Sequence, residues 1–230
     1  MSRKAINISV MVAAWMGCLL LLPAHAEGAA FEFNLDTLFS GFSPESATTP
    51  WLRATVEDAG VDTVSLKLET LNLVDAEFVR EWYFNFNPDK DPDILSFAHV
   101  SGVDADMVET GDDEFQADGD GKFDILFTFP PSGAGRFTGG LESMWTITGT
   151  GITAADFNFE STPGGGEGTF YSAAHVQGIG DADDLSGWIG SGEGIPPDSG
   201  NPPQAPEPTT LVFLSLGLLT FGSLRRSTRR

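Results

Sequence analysis

The chain has 230 residues, with 33 acidic and 12 basic side chains, so its formal net charge at pH 7 is −21. A protein this acidic is repelled by nucleic acid and by anionic lipid, and it attracts cations. Its single cysteine, Cys18, excludes a framework of intramolecular disulfides.

The first 26 residues have the layout of a secretory signal peptide. Two basic residues precede an apolar run over 5–22, and an Ala-His-Ala cleavage site follows at 24–26. We expect signal peptidase to remove residues 1–26 together with Cys18, and an uncleaved membrane helix is the alternative. The mature chain would then have no thiol for a disulfide or for nucleophilic chemistry.

The segment 27–206 has 32 acidic and six basic residues, a formal charge of −26. A high charge often indicates disorder, but here it accompanies abundant Phe, Trp, Leu, Ile and Val. We therefore expect a folded acidic domain over 27–189, which is an ordinary length for one domain.

Short runs of alternating apolar and polar residues recur along this domain. The clearest runs are Phe31–Leu35, Leu52–Val56, Val64–Leu68, Phe78–Phe86 and Phe123–Phe129, and weaker ones lie at Trp145–Ile147, Phe157–Phe159 and 169–179. Alternation with period two, interrupted by Gly, Pro and Asp clusters, is typical of antiparallel strands. The sequence predicts an all-β antiparallel sandwich or jelly roll, with Ile125 and Phe127 in its core.

Four tryptophans lie within the predicted domain: Trp51, Trp82, Trp145 and Trp188. Their simplest interpretation is as core residues, since large aromatic side chains are highly buried on average. An exposed row of them would instead indicate a platform that binds polysaccharide. Their burial therefore separates two functional hypotheses.

An acidic, glycine-containing stretch precedes the Phe123–Phe129 run and has part of the pattern of an EF-hand calcium loop. With Gln116 at position one, oxygen ligands fall at positions three, five, seven and nine of the loop. The corresponding residues are Asp118, Asp120, the carbonyl of Lys122, and Asp124.

Position twelve of this loop is Phe127, where an EF-hand has a bidentate glutamate. Asp112, Asp113 or Glu114 would have to complete the coordination. The sequence therefore leaves two hypotheses open: a calcium site at these positions, or an acidic turn stabilised by Asp and Gly turn chemistry.

Glycine and proline make up 10 of the 19 residues from 190 to 208. Such a composition cannot continue a helix or a central strand. It predicts an extended linker over 190–204, which separates the domain from the tail at 205–230.

The tail has three parts in a fixed order. Pro206, Glu207 and Pro208 precede an uncharged apolar run over 209–224, and the chain closes on Arg225, Arg226, Arg229 and Arg230. A helix over the apolar run would be about 24 Å long, which is shorter than the roughly 30 Å core of a bilayer. The arginines would stay on the cytoplasmic side. A plain membrane anchor and a sorting signal both fit this layout.

This order of motif, apolar helix and arginine cluster resembles the PEP-CTERM sorting domain of exported bacterial proteins. The resemblance implies recognition by exosortase, a membrane-embedded cysteine protease-transpeptidase, with cleavage near the motif. It also implies a Gram-negative host that makes exopolysaccharide. The protein would cross the inner membrane and reach the outer surface or the extracellular matrix. The resemblance covers about a tenth of the chain and gives no activity for the domain.

No residue pattern in the domain indicates catalysis. His99 and His175 have no zinc-site spacing, and there is no G-x-S-x-G sequence. We expect a non-enzymatic surface or matrix protein associated with exopolysaccharide or biofilm. Its partners would be signal peptidase, exosortase and extracellular polysaccharide, and not nucleic acid. The alternatives are a polysaccharide-binding module and a secreted glycoside hydrolase that uses two of the many carboxylates.

Overall fold

The computed structural model describes residues 28–166 and 168–197, and these residues form antiparallel β structure. The predicted signal peptide, the sorting motif, the C-terminal helix and the arginine cluster lie outside the described residues. Within the described residues there are eleven strands: β1 Ala30–Gly41, β2 Leu52–Gly60, β3 Thr63–Thr70, β4 Phe78–Phe84, β5 Ser96–Gly102, β6 Met107–Ala117, β7 Asp120–Thr128, β8 Phe137–Thr138, β9 Glu142–Thr148, β10 Ser172–Ile179 and β11 Leu185–Ser191. Short 3-10 helices cover Pro92–Ile94, Gly133–Gly135 and Ala154–Phe157.

All strands belong to one sheet with the order β5-β9-β3-β2-β1-β11-β10-β4-β7-β6, and β8 pairs with β4. The alternation in the sequence explains why these segments form strands. In β3, for example, Val64, Leu66 and Leu68 are buried while the residues between them are partly exposed. Period-two alternation of this kind places one face of a strand against the core.

The sheet curls so that its two halves pack face to face across an aromatic core. Phe33 of β1 contacts Phe84 of β4, with ring centroids 6.3 Å apart. Phe127 of β7 contacts Trp145 of β9, with ring centroids 5.3 Å apart. The predicted all-β antiparallel sandwich is therefore confirmed. Ile125 and Phe127 are 1% and 0% exposed, as predicted.

One predicted strand is wrong. The segment Phe157–Phe159 does not continue the alternation, because residues Ala154–Phe157 form a 3-10 helix. The carboxylate of Asp156 accepts a hydrogen bond from the main-chain N–H of Thr153 at 2.8 Å, which stabilises the start of this helix. Phe157 is still buried and packs against Phe86.

Strand pairing extends past residue 189, where the sequence placed the end of the domain. Strand β11 continues through Gly190 and Ser191, and Ile195 forms a bridge with Glu32 of β1. Gly190 fits this strand because the ring of Phe170 occupies the position where a Cβ would lie. Among the described residues, no helix is long and apolar enough to cross a membrane.

Candidate functional site

The outer face of the sheet has a second cluster of aromatic and apolar residues. Tyr83 lies between Trp82 and Phe84, which are in the main core, so its side chain is on the opposite face. The buried members of this second cluster are Tyr83, Ala117, Phe123 and Ala173, and its partly buried members are Phe39, Phe115, Leu126, Phe170 and Trp188. Both faces of this part of the sheet are therefore apolar.

Three residues form a row across adjacent strands on this outer face. Trp188 of β11 is opposite His175 of β10, and His175 is opposite Glu81 of β4. The imidazole of His175 stacks on the indole of Trp188, with ring centroids 4.2 Å apart and an interplanar angle of 1°. Tyr83 contacts Trp188 at 5.8 Å between ring centroids. We call Glu81, Tyr83, Leu126, His175 and Trp188 the outer-face patch.

The polar groups of the patch are connected through Glu81. Its carboxylate accepts a hydrogen bond from the hydroxyl of Tyr83 at 2.9 Å and lies 3.6 Å from Nδ1 of His175. Interaction with His175 lowers the pKa of Glu81 below its ordinary value, and the Tyr83 hydroxyl adds to this effect, while burial opposes it. Burial raises the pKa of Tyr83. At neutral pH the patch therefore presents an ionised carboxylate beside two aromatic rings.

An exposed row of tryptophans, the alternative to core burial that the sequence left open, is not found among the described residues. Trp51, Trp82 and Trp145 are buried in the main core. Trp188 alone of the four lies partly exposed in the outer cluster. The sequence has one signal for this second surface: the consecutive aromatics Trp82, Tyr83 and Phe84 put apolar groups on both faces of one strand.

Asp118 of the predicted calcium loop lies in a two-residue hairpin turn. Ala117 pairs with Asp120, and Asp118 and Gly119 connect β6 to β7 with φ angles of 50° and 82°. Positive φ at both central residues is typical of a type I′ hairpin. The Asp118 carboxylate accepts a hydrogen bond from the hydroxyl of Ser40. Asp118 and Gly119 therefore have the geometry of an acidic turn, which is one of the two hypotheses that the sequence left open.

The next two predicted ligands have protein partners of their own. Asp120 is 3% exposed, and its carboxylate accepts a hydrogen bond from the N–H of Gly168 at 3.3 Å. The carbonyl of Lys122 accepts a hydrogen bond from the N–H of Thr162 at 3.2 Å. Within 28–166 and 168–197, no three Asp, Glu, His or Cys side chains are placed to hold one metal ion. The calcium hypothesis stays a prediction that calcium titration of the protein and of Asp118→Asn can test.

Asp124 lies on β7 opposite a bulge in the neighbouring strand β6. Thr110 pairs with Ile125 and Phe115 pairs with Phe123, so residues 111–114 all lie opposite Asp124. Its carboxylate fills the gap by accepting hydrogen bonds from the N–H groups of Phe86 at 2.8 Å and of Asp113 at 2.9 Å. Burial raises the pKa of Asp124, the two hydrogen bonds oppose this, and the nearby acidic charges add to it.

No protein-family model, no curated protein and no solved structure matches this chain.

Proposed function

We propose that this chain is an exported, non-enzymatic surface or matrix protein whose β domain contacts extracellular polysaccharide through the outer-face patch. The observation that carries the proposal is the row of Trp188, His175 and Glu81, in which two stacked aromatic rings adjoin hydrogen-bonding groups. A sugar ring has an apolar C–H face and hydroxyl groups at its edge. A binding surface of aromatic side chains with a few placed polar groups complements both.

The charge state of Glu81 supports this proposal. Its lowered pKa keeps the carboxylate ionised at neutral pH, and hydrogen bonds to an ionised acceptor are about twice as strong as neutral ones. The side chain of Glu81 is 28% exposed, so the carboxylate is accessible to a hydroxyl group of a ligand. Tyr83 and His175 hold this carboxylate in place, and the ring of His175 stacks in turn on the indole of Trp188.

The two ends of the sequence support an extracellular location. The signal peptide at 1–26 and the tail that resembles a PEP-CTERM domain favour export through the inner membrane, with signal peptidase and exosortase as processing enzymes. Hosts of that family often make exopolysaccharide, which would be the ligand that the exported domain meets. Pro206, Glu207 and Pro208 would be the sorting motif.

Affinity electrophoresis tests the proposal with the full chain in detergent, run through gels that contain exopolysaccharide from the native host. We expect the polysaccharide to retard the protein and Trp188→Ala to weaken binding by about tenfold or more, equivalent to about 1.4 kcal/mol. Val100→Ala, which truncates an exposed apolar residue on β5, is the control and should bind like the unchanged protein. Polysaccharide binding that survives Trp188→Ala, or no binding by the unchanged protein, would contradict the proposal.

A further inference from the structure

A shallow pocket of about 430 Å³ lies beside the outer-face patch. The side chains that give it its chemistry are those of Phe78, Arg136, Gln177, Asp183, Asp184 and Ser186. Its volume is within the range of about 300–1,000 Å³ that is typical of pockets for small ligands. Both donors and acceptors of hydrogen bonds line it.

The pairing of β4, β10 and β11 makes this pocket continuous with the patch. Gln177 pairs with Phe78 of β4 on one side and with Ser186 of β11 on the other. Gln177 follows His175 by two residues, and Val176 between them belongs to the main core. Side chains two residues apart in a strand share a face and lie about 7 Å apart. A polymer that stacks on the patch and runs along β10 and β11 therefore reaches the pocket.

Two contacts hold Arg136 over this row. The Cζ atom of its guanidinium lies 3.7 Å from the centroid of the Phe78 ring, and its Nη2 donates a hydrogen bond to the carbonyl of Ala76 at 2.8 Å. A cation over an aromatic ring is attracted by the quadrupole of the ring. The guanidinium is therefore fixed before a ligand binds, and a fixed donor loses less conformational entropy on binding.

The pocket also has negative charge. Asp183 and Asp184 lie in the turn between β10 and β11 and line the pocket opposite in sign to Arg136. No ion pair in the described part of the chain joins Arg136 to either carboxylate. The pocket therefore offers a positive donor and negative acceptors, and the amide of Gln177 adds one group of each kind.

We infer that the polysaccharide bound by this protein is neutral, and that the pocket takes a sugar residue with free neighbouring hydroxyl groups while the patch stacks on another residue of the same chain. The inference rests on the proposed function. A hydroxyl group both donates and accepts hydrogen bonds, so neighbouring hydroxyls match a pocket that has guanidinium and carboxylate groups. Hydrogen bonds to these charged groups are about twice as strong as neutral ones.

Charged sugars fit this pocket less well. The carboxylate of a uronic acid would be attracted by Arg136 but repelled by Asp183 and Asp184. The ammonium group of an amino sugar would be attracted by the two carboxylates but repelled by Arg136. A neutral sugar meets neither repulsion, so the mixed charge of the pocket selects it.

Affinity electrophoresis of the full chain in detergent tests this inference with exopolysaccharide from the native host, separated by ion exchange into neutral, anionic and cationic fractions. We expect the neutral fraction to retard the protein at a concentration at least about tenfold lower than either charged fraction, a difference of about 1.4 kcal/mol. Trp188→Ala should also weaken binding to the neutral fraction, because the patch and the pocket bind the same polymer.

Gln177→Ala should weaken binding to the neutral fraction severalfold. Its side chain is partly exposed on β10 and makes no hydrogen bond to another described residue, so its truncation preserves the fold. Gln116→Ala makes the same change on β6, outside the pocket, and is the matched control. Arg136→Gln should weaken binding severalfold as well, and Lys67→Gln on β3, which removes one positive charge elsewhere, is its control.

Two results would overturn the inference and leave the proposed function intact: a charged fraction that binds at least as tightly as the neutral one, or equal affinity of Gln177→Ala and Gln116→Ala for the neutral fraction. If Arg136→Gln does not fold, the two glutamine variants still decide the outcome. Failure of every fraction to retard the unchanged protein would instead contradict the proposed function.

Discussion

Phe97 and Phe127 meet edge to face, with ring centroids 5.5 Å apart and planes at 88°, although β5 is at one edge of the sheet and β7 is next to the other edge. Phe127 also contacts Phe84 and Trp145, which belong to opposite halves of the curled sheet. This one ring therefore packs against both halves of the curled sheet.

Phe127→Ala should strongly destabilise the protein. The ring is fully buried, and truncating a buried phenylalanine to alanine costs about 3–5 kcal/mol in unfolding free energy. Urea denaturation followed by tryptophan fluorescence measures the loss. Val61→Ala is the control, because Val61 is 90% exposed and its truncation should change the free energy by less than about 0.5 kcal/mol. Similar midpoints for both variants would contradict the described core.

The burial of Ile125 and Phe127 could be predicted because side chains two residues apart lie on the same face of a regular strand. This pattern can be recognised within one short segment of the sequence. Phe123 has the same spacing but packs against Tyr83 in the outer cluster. The difference arises where the β6–β7 register shifts, at a bulge of four residues that depends on the pairing of two strands. Alternation within one segment carries no information about such a bulge.

The row of Glu81, His175 and Trp188 could not be predicted for the same reason. Glu81 and His175 are far apart in the chain, and they face each other only because β4 pairs with β10 in one particular register. The neighbouring turn at Asp118 and Gly119 was accessible to sequence reasoning, because Asp-Gly between alternating segments is a strong hairpin signal. Local chemistry predicts turns and strands, whereas sites built across strands require the register.

Gly119→Ala should destabilise the β6–β7 hairpin. Gly119 has a φ of 82°, and no atom outside its neighbours lies within 4 Å of the position that a Cβ would take. The cost therefore comes from the backbone conformation alone, and we expect about 1–3 kcal/mol. Thermal denaturation measures it. Gly192→Ala is the matched control, because its Cβ position is also open and its φ is outside the positive range. Equal melting temperatures for the two variants would contradict the described turn.

Glu81→Gln should make the melting temperature of the protein less sensitive to acidic pH. The pKa of Glu81 is lowered in the folded state, so its contribution to stability is fully present above the ordinary glutamate value of about 4.3. That contribution is lost as the pH falls through the lowered value. Between pH 6 and pH 3 the melting temperature of the unchanged protein should therefore fall further than that of Glu81→Gln.

Glu57→Gln removes one exposed carboxylate on β2 and controls for the change in net charge. The three melting curves should be recorded at constant ionic strength, because screening also changes with salt. Parallel pH profiles for the unchanged protein and Glu81→Gln would show that His175 and Tyr83 do not stabilise the ionised form of Glu81.

Processing of the two ends is the last prediction. Mass spectrometry of the protein released from its native host should find a chain that begins near Glu27 and ends near Pro208. The apolar run over 209–224 would be about 24 Å long as a helix, which is shorter than the roughly 30 Å core of a bilayer. This shortness favours a transient sorting signal over a permanent anchor.

Replacing Pro206, Glu207 and Pro208 by alanine should leave the tail uncleaved and the protein in the inner membrane. The same replacement of Pro202 and Pro203 in the linker is the control and should be processed normally. Surface protein that keeps an intact 225–230 segment would favour a plain C-terminal anchor instead.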